Sequence, residues 1–191
     1  MDDQRAAAVL ELSHRILTLK LLPRTGWLQR GMANVESIAE HSFAVASLAL
    51  LVGDLLPDID RGRLLAIALL HDMAEVLISD LPASARRFFG PGVKQQAERK
   101  ALIELFDRLP QGEEYLELWT EYTEGSSREA RLVKALDRLE ILVQALAYER
   151  AGSRGLEDFW QDSDSGWSDE FPLVRLMVND LLDERRRVLA A

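Results

Sequence analysis

The sequence contains no cysteine, which excludes both a disulfide framework and a thiolate metal site. It also lacks an excess of positive charge, because 23 Lys and Arg stand against 32 Asp and Glu, for a formal net charge of -9. General binders of nucleic acid or of membrane surfaces usually carry a basic patch. We therefore expect no nucleic-acid partner and no membrane partner, whereas a small anionic substrate needs only a few local arginines.

Long hydrophobic runs are also missing. The longest apolar run is far shorter than the roughly 20 residues that span a bilayer, and Met1–Gln4 lacks the basic and apolar regions of a signal peptide. We therefore expect a cytoplasmic protein. A chain of 191 residues with 48% hydrophobic content suits a single domain over 1–191. We expect its core over about 5–150, a loop over 152–170 and a C-terminal helix over 171–189.

Strand-like alternation of β-branched residues is nearly absent, whereas leucine and alanine recur at helical spacing. This pattern predicts an all-α fold, a helical bundle of about six to seven helices. Two helix starts have the form of a capping box, Ser37 to Glu40 and Ser126 to Glu129. The predicted helices cover residues 4–21, 38–55, 60–78, 94–109, 112–123, 127–150 and 171–189.

The segment 152–170 is rich in Gly, Ser and Asp and contains Trp160 and Trp167. Its run 162–166 has some likeness to a calcium loop, but the glycine comes one place early and the fifth-position oxygen ligand is missing. We interpret the segment as a surface loop held by its aromatic residues. It serves either as a lid over a site or only as a connector.

The pair His71-Asp72 is the most informative feature of the chain. Seven apolar residues lead directly into it, and Glu75 follows within the predicted helix 60–78. On that helix His71 and Glu75 share a face, with about 6 Å of rise between them. Burying ionisable groups without partners costs several kcal/mol each, so such groups are normally paired or bound to metal.

Two other predicted helices carry a polar residue within an apolar row. His41 interrupts the apolar row of helix 38–55, and Asp137 lies within a largely apolar row of helix 127–150. Taken singly, such residues are more often a structural histidine and a solvated aspartate. Two imidazoles and two carboxylates on three helices favour a divalent-metal site instead. Mixed N and O ligands suit Mn, Fe, Co, Ni or Zn better than Mg or Ca.

The ordered motifs resemble those of the HD-domain metal-dependent phosphohydrolases, and specifically their 5'-deoxynucleotidase branch. The resemblance covers roughly residues 5 to 150. It implies that one divalent transition metal binds to His41, His71, Asp72 and Asp137, and that the substrate is a small-molecule nucleotide. The motifs that carry it are Pro23–Trp27, Glu36–Ser42, His71–Glu75, Ser79–Pro82 and the stretch from Glu117 through Asp137 to Glu149.

The resemblance also implies roles for two further acidic residues. Glu75 and Asp80 would handle the nucleophilic water and the proton for the leaving 5'-oxygen, and the sequence leaves open which does which. The alternative for Glu75 is a partner that holds a histidine ring. The alternative for Asp80 is a helix N-cap ahead of Leu81-Pro82.

The substrate would meet Arg24 and Trp27, an arginine for the phosphate and an indole for the sugar or base. In the best-known bacterial pattern the arginine directly precedes the tryptophan, whereas here two residues separate them. Arg30 is therefore a rival for the same role. The alternative is that both arginines lie on the surface and that Trp27 belongs to the core.

The chain has only three histidines, which favours one metal rather than two. The main functional interpretation is a nucleoside 5'-monophosphate phosphomonoesterase. The alternatives are an HD-type pyrophosphohydrolase of nucleoside triphosphates or alarmones, and a silent nucleotide-binding module.

A homodimer is expected from the family. The aromatic stripe of Tyr115, Trp119 and Tyr122 is either core or a dimer contact, and mixed charges over 94–108 and 128–134 indicate solvated faces.

Overall fold

A computed structural model describes residues 2–161, 163, 167 and 169–190, except for the side chains of Ala83 and Arg86. Across these residues the fold is all-α, as predicted, and no strand forms within them. A single isolated antiparallel bridge joins Pro23 to Ser37. The calcium-like run 162–166 lies largely outside the described residues.

The helices follow the predicted order, with short helices added between the long ones. A 3-10 turn at Leu17–Lys20 follows the first helix. The helices are α1 (Asp2–Ile16), α2 (Thr25–Leu28), α3 (Ile38–Gly53), α4 (Arg61–Leu70), α5 (Glu75–Ile78), α6 (Ala83–Arg86), α7 (Val93–Phe106), α8 (Gly112–Glu124), α9 (Arg128–Arg150), α10 (Glu157–Trp160) and α11 (Pro172–Ala190). Helix α10 lies inside the segment that was expected to be a loop.

The start of α3 has the predicted capping box. The Ser37 hydroxyl accepts from the Glu40 backbone N–H, and the Glu40 side chain accepts from the Ser37 backbone N–H. The box predicted at Ser126 is wrong, because α9 is capped one residue later by Ser127. Glu129 does not close that box, since its carboxylate accepts a hydrogen bond from the backbone N–H of Asp60.

The predicted continuous helix 60–78 is also wrong, because the chain leaves the helix after Leu70. Residues 71–74 form tight turns, in which Met73 N–H bonds to Leu70 O at 3.1 Å and Glu75 N–H bonds to Asp72 O at 3.0 Å. These bonds span three residues rather than four, so they rotate the backbone away from α-helical register. His71 and Glu75 therefore do not lie one turn apart on a single helix.

The core lies where α3, α4 and α9 pack against one another. Fully buried residues such as Val45, Ile67 and Leu136 fill the space between them. Helix α8 packs on α4, α7 and α9, and α11 packs on α9. Within the described residues, no helix is long and apolar enough to cross a membrane. This arrangement brings one face of α3, the end of α4 and one face of α9 to a common point.

Candidate metal centre

The four predicted metal ligands meet where those helices converge. His41 comes from α3, His71 and Asp72 from the turn after α4, and Asp137 from α9. His41 Nε2 lies 3.2 Å from Asp137 Oδ1, 3.4 Å from His71 Nε2 and 3.6 Å from Asp72 Oδ2. His71 Nε2 lies 3.3 Å from Asp72 Oδ2. Residues up to 96 positions apart in sequence thus contribute polar atoms to one small volume.

These separations fit a bound divalent ion. Ligand atoms that each lie about 2.0–2.2 Å from one metal ion are separated from their neighbours by about 3.0–3.5 Å. Both imidazoles are buried, and the paired carboxylates supply the negative charge that a buried cation requires. The donor set of nitrogen and oxygen is typical of first-row transition metals.

The far side of each imidazole ring is occupied, which aims Nε2 at the cluster. Glu140 Oε2 lies 2.6 Å from His41 Nδ1, and the carbonyl oxygen of Ala68 lies 2.7 Å from His71 Nδ1. Because a carbonyl only accepts, Nδ1 of His71 carries a proton, and Nε2 is the ring nitrogen that faces the cluster. Metal-binding histidines are commonly held in this way. Glu140 was not singled out from the sequence.

Charge around the cluster controls its protonation. Burial alone would lower the pKa of His41, but hydrogen bonds to Asp137 and Glu140 outweigh burial and raise this pKa to about 10. Burial opposes ionisation of Asp72, yet the charges of His71 and Arg24 hold its pKa well below the usual range. The pKa of Asp137 is lowered as well, chiefly by His41 against the effect of burial. Without metal, the site is therefore a hydrogen-bonded network of imidazolium and carboxylate groups.

The structure separates the two rival arginines. Arg24 Nη1 lies 3.2 Å from Asp72 Oδ2, and its largely buried side chain lines the cavity beside the cluster. Arg30 instead pairs with Asp158 at 2.9 Å and does not line that cavity. Trp27 lines the cavity but is only 2% exposed.

Glu75 and Asp80 both line the same cavity, in different environments. Burial, reinforced by the charges of Asp72 and Asp80, raises the pKa of Glu75 to about 9. Its Oε2 atom is buried and has no hydrogen-bond partner among the described residues. Asp80 Oδ2 accepts hydrogen bonds from the backbone N–H of Thr25 at 2.6 Å and from its hydroxyl at 2.8 Å. Asp80 is not a helix N-cap, because the N-cap of the following helix, α6, is Pro82.

The cavity has a volume of about 760 Å³, and several of its lining residues were assigned elsewhere from the sequence. Tyr122, expected in the core or at a dimer contact, donates its hydroxyl to Asp137 Oδ2 at 3.0 Å. Lys94 and Lys134, expected on solvated faces, also line the cavity. Sequence periodicity places a residue on a helix face, but it does not show which surfaces surround a cavity.

Comparisons with known proteins agree with this geometry. Residues 16–172 match the family model described as HD domain. A relative from Schizosaccharomyces pombe named as a 5'-deoxynucleotidase is 33% identical over 197 residues, covering 100% of this chain and 97% of the relative.

Solved structures show the same fold. A protein of Pyrococcus horikoshii superposes with a TM-score of 0.76 and 36% identity, covering 94% of this chain and 99% of that one. A Magnetospirillum magnetotacticum protein, named a predicted metal-dependent phosphohydrolase, gives a TM-score of 0.72 and 27% identity, covering 98% of this chain and 96% of that one. The chain therefore belongs to the HD-domain family.

Proposed function

We propose that this protein is a 5'-deoxynucleotidase, a phosphomonoesterase that hydrolyses nucleoside 5'-monophosphates to nucleoside and phosphate. The observation that carries the proposal is the convergence of His41, His71, Asp72 and Asp137 on one point beside a nucleotide-sized cavity. The full-length similarity to a relative named for this activity supports it. The reaction breaks the bond between phosphorus and the 5'-oxygen, adds water to phosphorus and returns a proton to that oxygen.

The four converging residues would hold one divalent transition metal, chosen from Mn, Fe, Co, Ni and Zn. When bound, such an ion neutralises charge on the phosphate and lowers the pKa of water. The chain orients the ligands through Glu140 and the Ala68 carbonyl, so the two Nε2 atoms are already directed inward.

Arg24 is placed to orient the phosphate. Its guanidinium lies beside Asp72 at the cavity wall, so its remaining donors are available to phosphate oxygens. Arginine suits this role because its planar fork matches two oxygens at once. Arg30, which faces Asp158 instead, is not part of this proposal for phosphate binding.

Glu75 is placed to hold and deliver the proton for the leaving 5'-oxygen. Its raised pKa keeps the carboxyl protonated near neutral pH, as a general acid requires. Asp80 is fixed in orientation by two hydrogen bonds from Thr25, which suits it to orient the attacking water. This division of roles assigns the two acids that the sequence left interchangeable. The homodimer implied by the family and the cytoplasmic location expected from the sequence stay predictions.

Phosphate release from a panel of nucleoside mono-, di- and triphosphates tests the function. The protein is stripped of metal and resupplied separately with Mn, Co, Ni, Zn and Mg, with Asp137→Asn as the inactive control. We expect metal-dependent release from monophosphates, faster for deoxy than for ribo sugars. Release only from polyphosphates would favour a pyrophosphohydrolase. Nucleotide binding without release under any metal would indicate a binding module.

A further inference from the structure

The cavity beside the metal cluster combines two chemically different sets of lining residues. One set is charged and includes Asp72, Asp137 and Arg24. The other is apolar and includes Trp27, Leu81, Pro82, Phe89, Ile141 and Phe159. A nucleoside monophosphate has the same division between an anionic phosphate and a base with apolar faces. The proposed reaction uses Asp72, Asp137 and Arg24 for the metal and the phosphate, so the apolar set is available to contact the nucleoside.

Trp27 is the obvious aromatic residue for that recognition, but its ring is already engaged. Its indole stacks on Phe159 with ring centroids 4.0 Å apart and meets the edge of Tyr148 at 5.2 Å. Its Nε1 donates a hydrogen bond to Glu36 Oε1 at 2.8 Å. With 2% of its surface exposed, Trp27 offers little area to a ligand. Trp27 instead serves as a packing surface for Phe159, which also lines the cavity.

Phe159, in contrast to Trp27, is only half-buried. It lies on α10, in the segment that the sequence left as either a lid or a connector. Its ring tip packs beside Gly26, where an added Cβ would lie 3.5 Å from Phe159 Cζ. Because Gly26 is only two residues after Arg24, Phe159 lies next to the stretch of chain that would serve the phosphate.

Arg30 also contacts the Phe159 ring. Its guanidinium carbon lies 4.9 Å from the Phe159 ring centroid, and its Nη2 lies 2.9 Å from Asp158 Oδ2. One arginine thus contacts two successive residues of α10 and connects them to the end of α2. Phe159 lines the cavity, and its contacts with Trp27 and Arg30 restrain the ring there, as a specificity element requires.

We propose that Phe159 is a specificity-determining residue that contacts the base of the nucleotide, and that Arg30 positions it. This inference rests on the proposed function, because it takes the substrate to be a nucleoside monophosphate. Aromatic side chains suit the task, since every base offers a π-face and a polarisable edge. The segment around α10 is then a wall of the substrate cavity rather than a connector.

The test compares substrates with and without a base. Phe159→Ala and Phe159→Leu are assayed on deoxynucleoside 5'-monophosphates and on 2-deoxyribose 5-phosphate, with the metal-loaded full chain. Phe43→Ala, at an exposed phenylalanine of α3, is the matched control. We expect Phe159→Ala to lower kcat/KM for nucleotides about tenfold, mainly through KM, and to leave the baseless substrate within about twofold. Phe159→Leu and Arg30→Gln should give smaller losses with the same substrate dependence.

Equal losses on both substrates would overturn the proposal, because they would assign Phe159 a purely structural role. Unchanged nucleotide kinetics would overturn it as well. If the parent releases no phosphate from any nucleotide, the proposed function fails separately. Calorimetric binding of deoxyadenosine 5'-monophosphate then tests whether Phe159 contacts the base. About tenfold weaker binding by Phe159→Ala than by the parent supports the contact, whereas equal binding, or none by the parent, contradicts it.

Discussion

His41 Nδ1 lies 2.6 Å from Glu140 Oε2, on the side of the ring opposite the metal cluster. Both residues are buried, and the other nitrogen of the same ring faces Asp137 at 3.2 Å. A carboxylate in this position accepts a hydrogen bond from Nδ1–H and directs Nε2 inward. Glu140 thereby fixes the orientation of His41, one of the four residues proposed to bind the metal.

Glu140→Gln should weaken metal affinity about 10- to 100-fold, because the amide keeps the shape of the side chain but removes its charge. The measurement is a competition titration with a chromogenic chelator. Glu129→Gln is the matched control, since Glu129 is a buried glutamate of the same helix whose partner is the Asp60 backbone. Parent-like affinity in Glu140→Gln would contradict the role assigned to this carboxylate.

Metal affinity should rise with pH. In the metal-free protein the pKa of His41 is raised to about 10, so near neutral pH its Nε2 holds a proton that must leave before a cation binds. For each proton displaced, metal affinity should rise by up to about tenfold per pH unit below that pKa. Calorimetry in buffers of different ionisation enthalpy measures the protons released. A pH-independent affinity with no proton release would show that His41 is neutral before binding.

Glu75→Gln should change how the stability of the metal-free protein depends on pH. The pKa of Glu75 is about 9 in the folded chain and about 4.3 in an unfolded one. Between these values the unfolded chain loses its proton while the folded chain keeps it, so the parent loses stability as pH rises. Glutamine does not titrate. The free energy of unfolding of the variant should therefore increase relative to that of the parent as pH rises from about 5 to about 8.

Urea unfolding of both metal-free proteins across this range measures the difference in free energy of unfolding. Glu117→Gln, at an exposed glutamate of α8, is the control that should track the parent. A constant difference between Glu75→Gln and the parent would mean that Glu75 ionises normally in the folded protein.

Glu75→Gln should also slow the reaction while keeping the metal. Loss of a general acid typically costs about 10²- to 10⁴-fold in rate, and Glu75 is not one of the four residues proposed to bind the metal. The checks are kcat on deoxynucleoside monophosphates and metal content by elemental analysis. A variant as fast as the parent would remove Glu75 from the mechanism, and a variant without metal would make it a ligand.

The sequence predicted the long helices because their apolar rows and end signals are local. Helix α3 shows this best. Ser37 and Glu40 cap it, and its predicted row is buried at Ile38, Val45 and Val52. The break after Leu70 was not predictable in the same way. Residues 71–74 include no proline or glycine, and their turns depend on local bonds such as the one from His71 Nδ1 to Ala68 O.

The convergence of the four proposed metal ligands was predictable, because they are polar residues within or next to apolar rows. Their surroundings were not predictable in this way. Arg24 and Arg30 both flank Trp27 in sequence, and only the fold shows that one meets Asp72 and the other Asp158. Glu140 could have been found from its place three residues after Asp137, on a nearby part of α9. The signal is weak, because most helical glutamates at such spacing face water.

Stoichiometric reconstitution decides whether one metal ion per chain forms the proposed phosphomonoesterase site. Metal-free protein is titrated with Mn or Co while phosphate release from a deoxynucleoside 5'-monophosphate is followed. Under tight-binding conditions the rate should rise linearly and level off at one equivalent of metal per chain, and Asp137→Asn should stay inactive throughout. Full activity without added metal, or a plateau only at two equivalents, would contradict the single site built from His41, His71, Asp72 and Asp137.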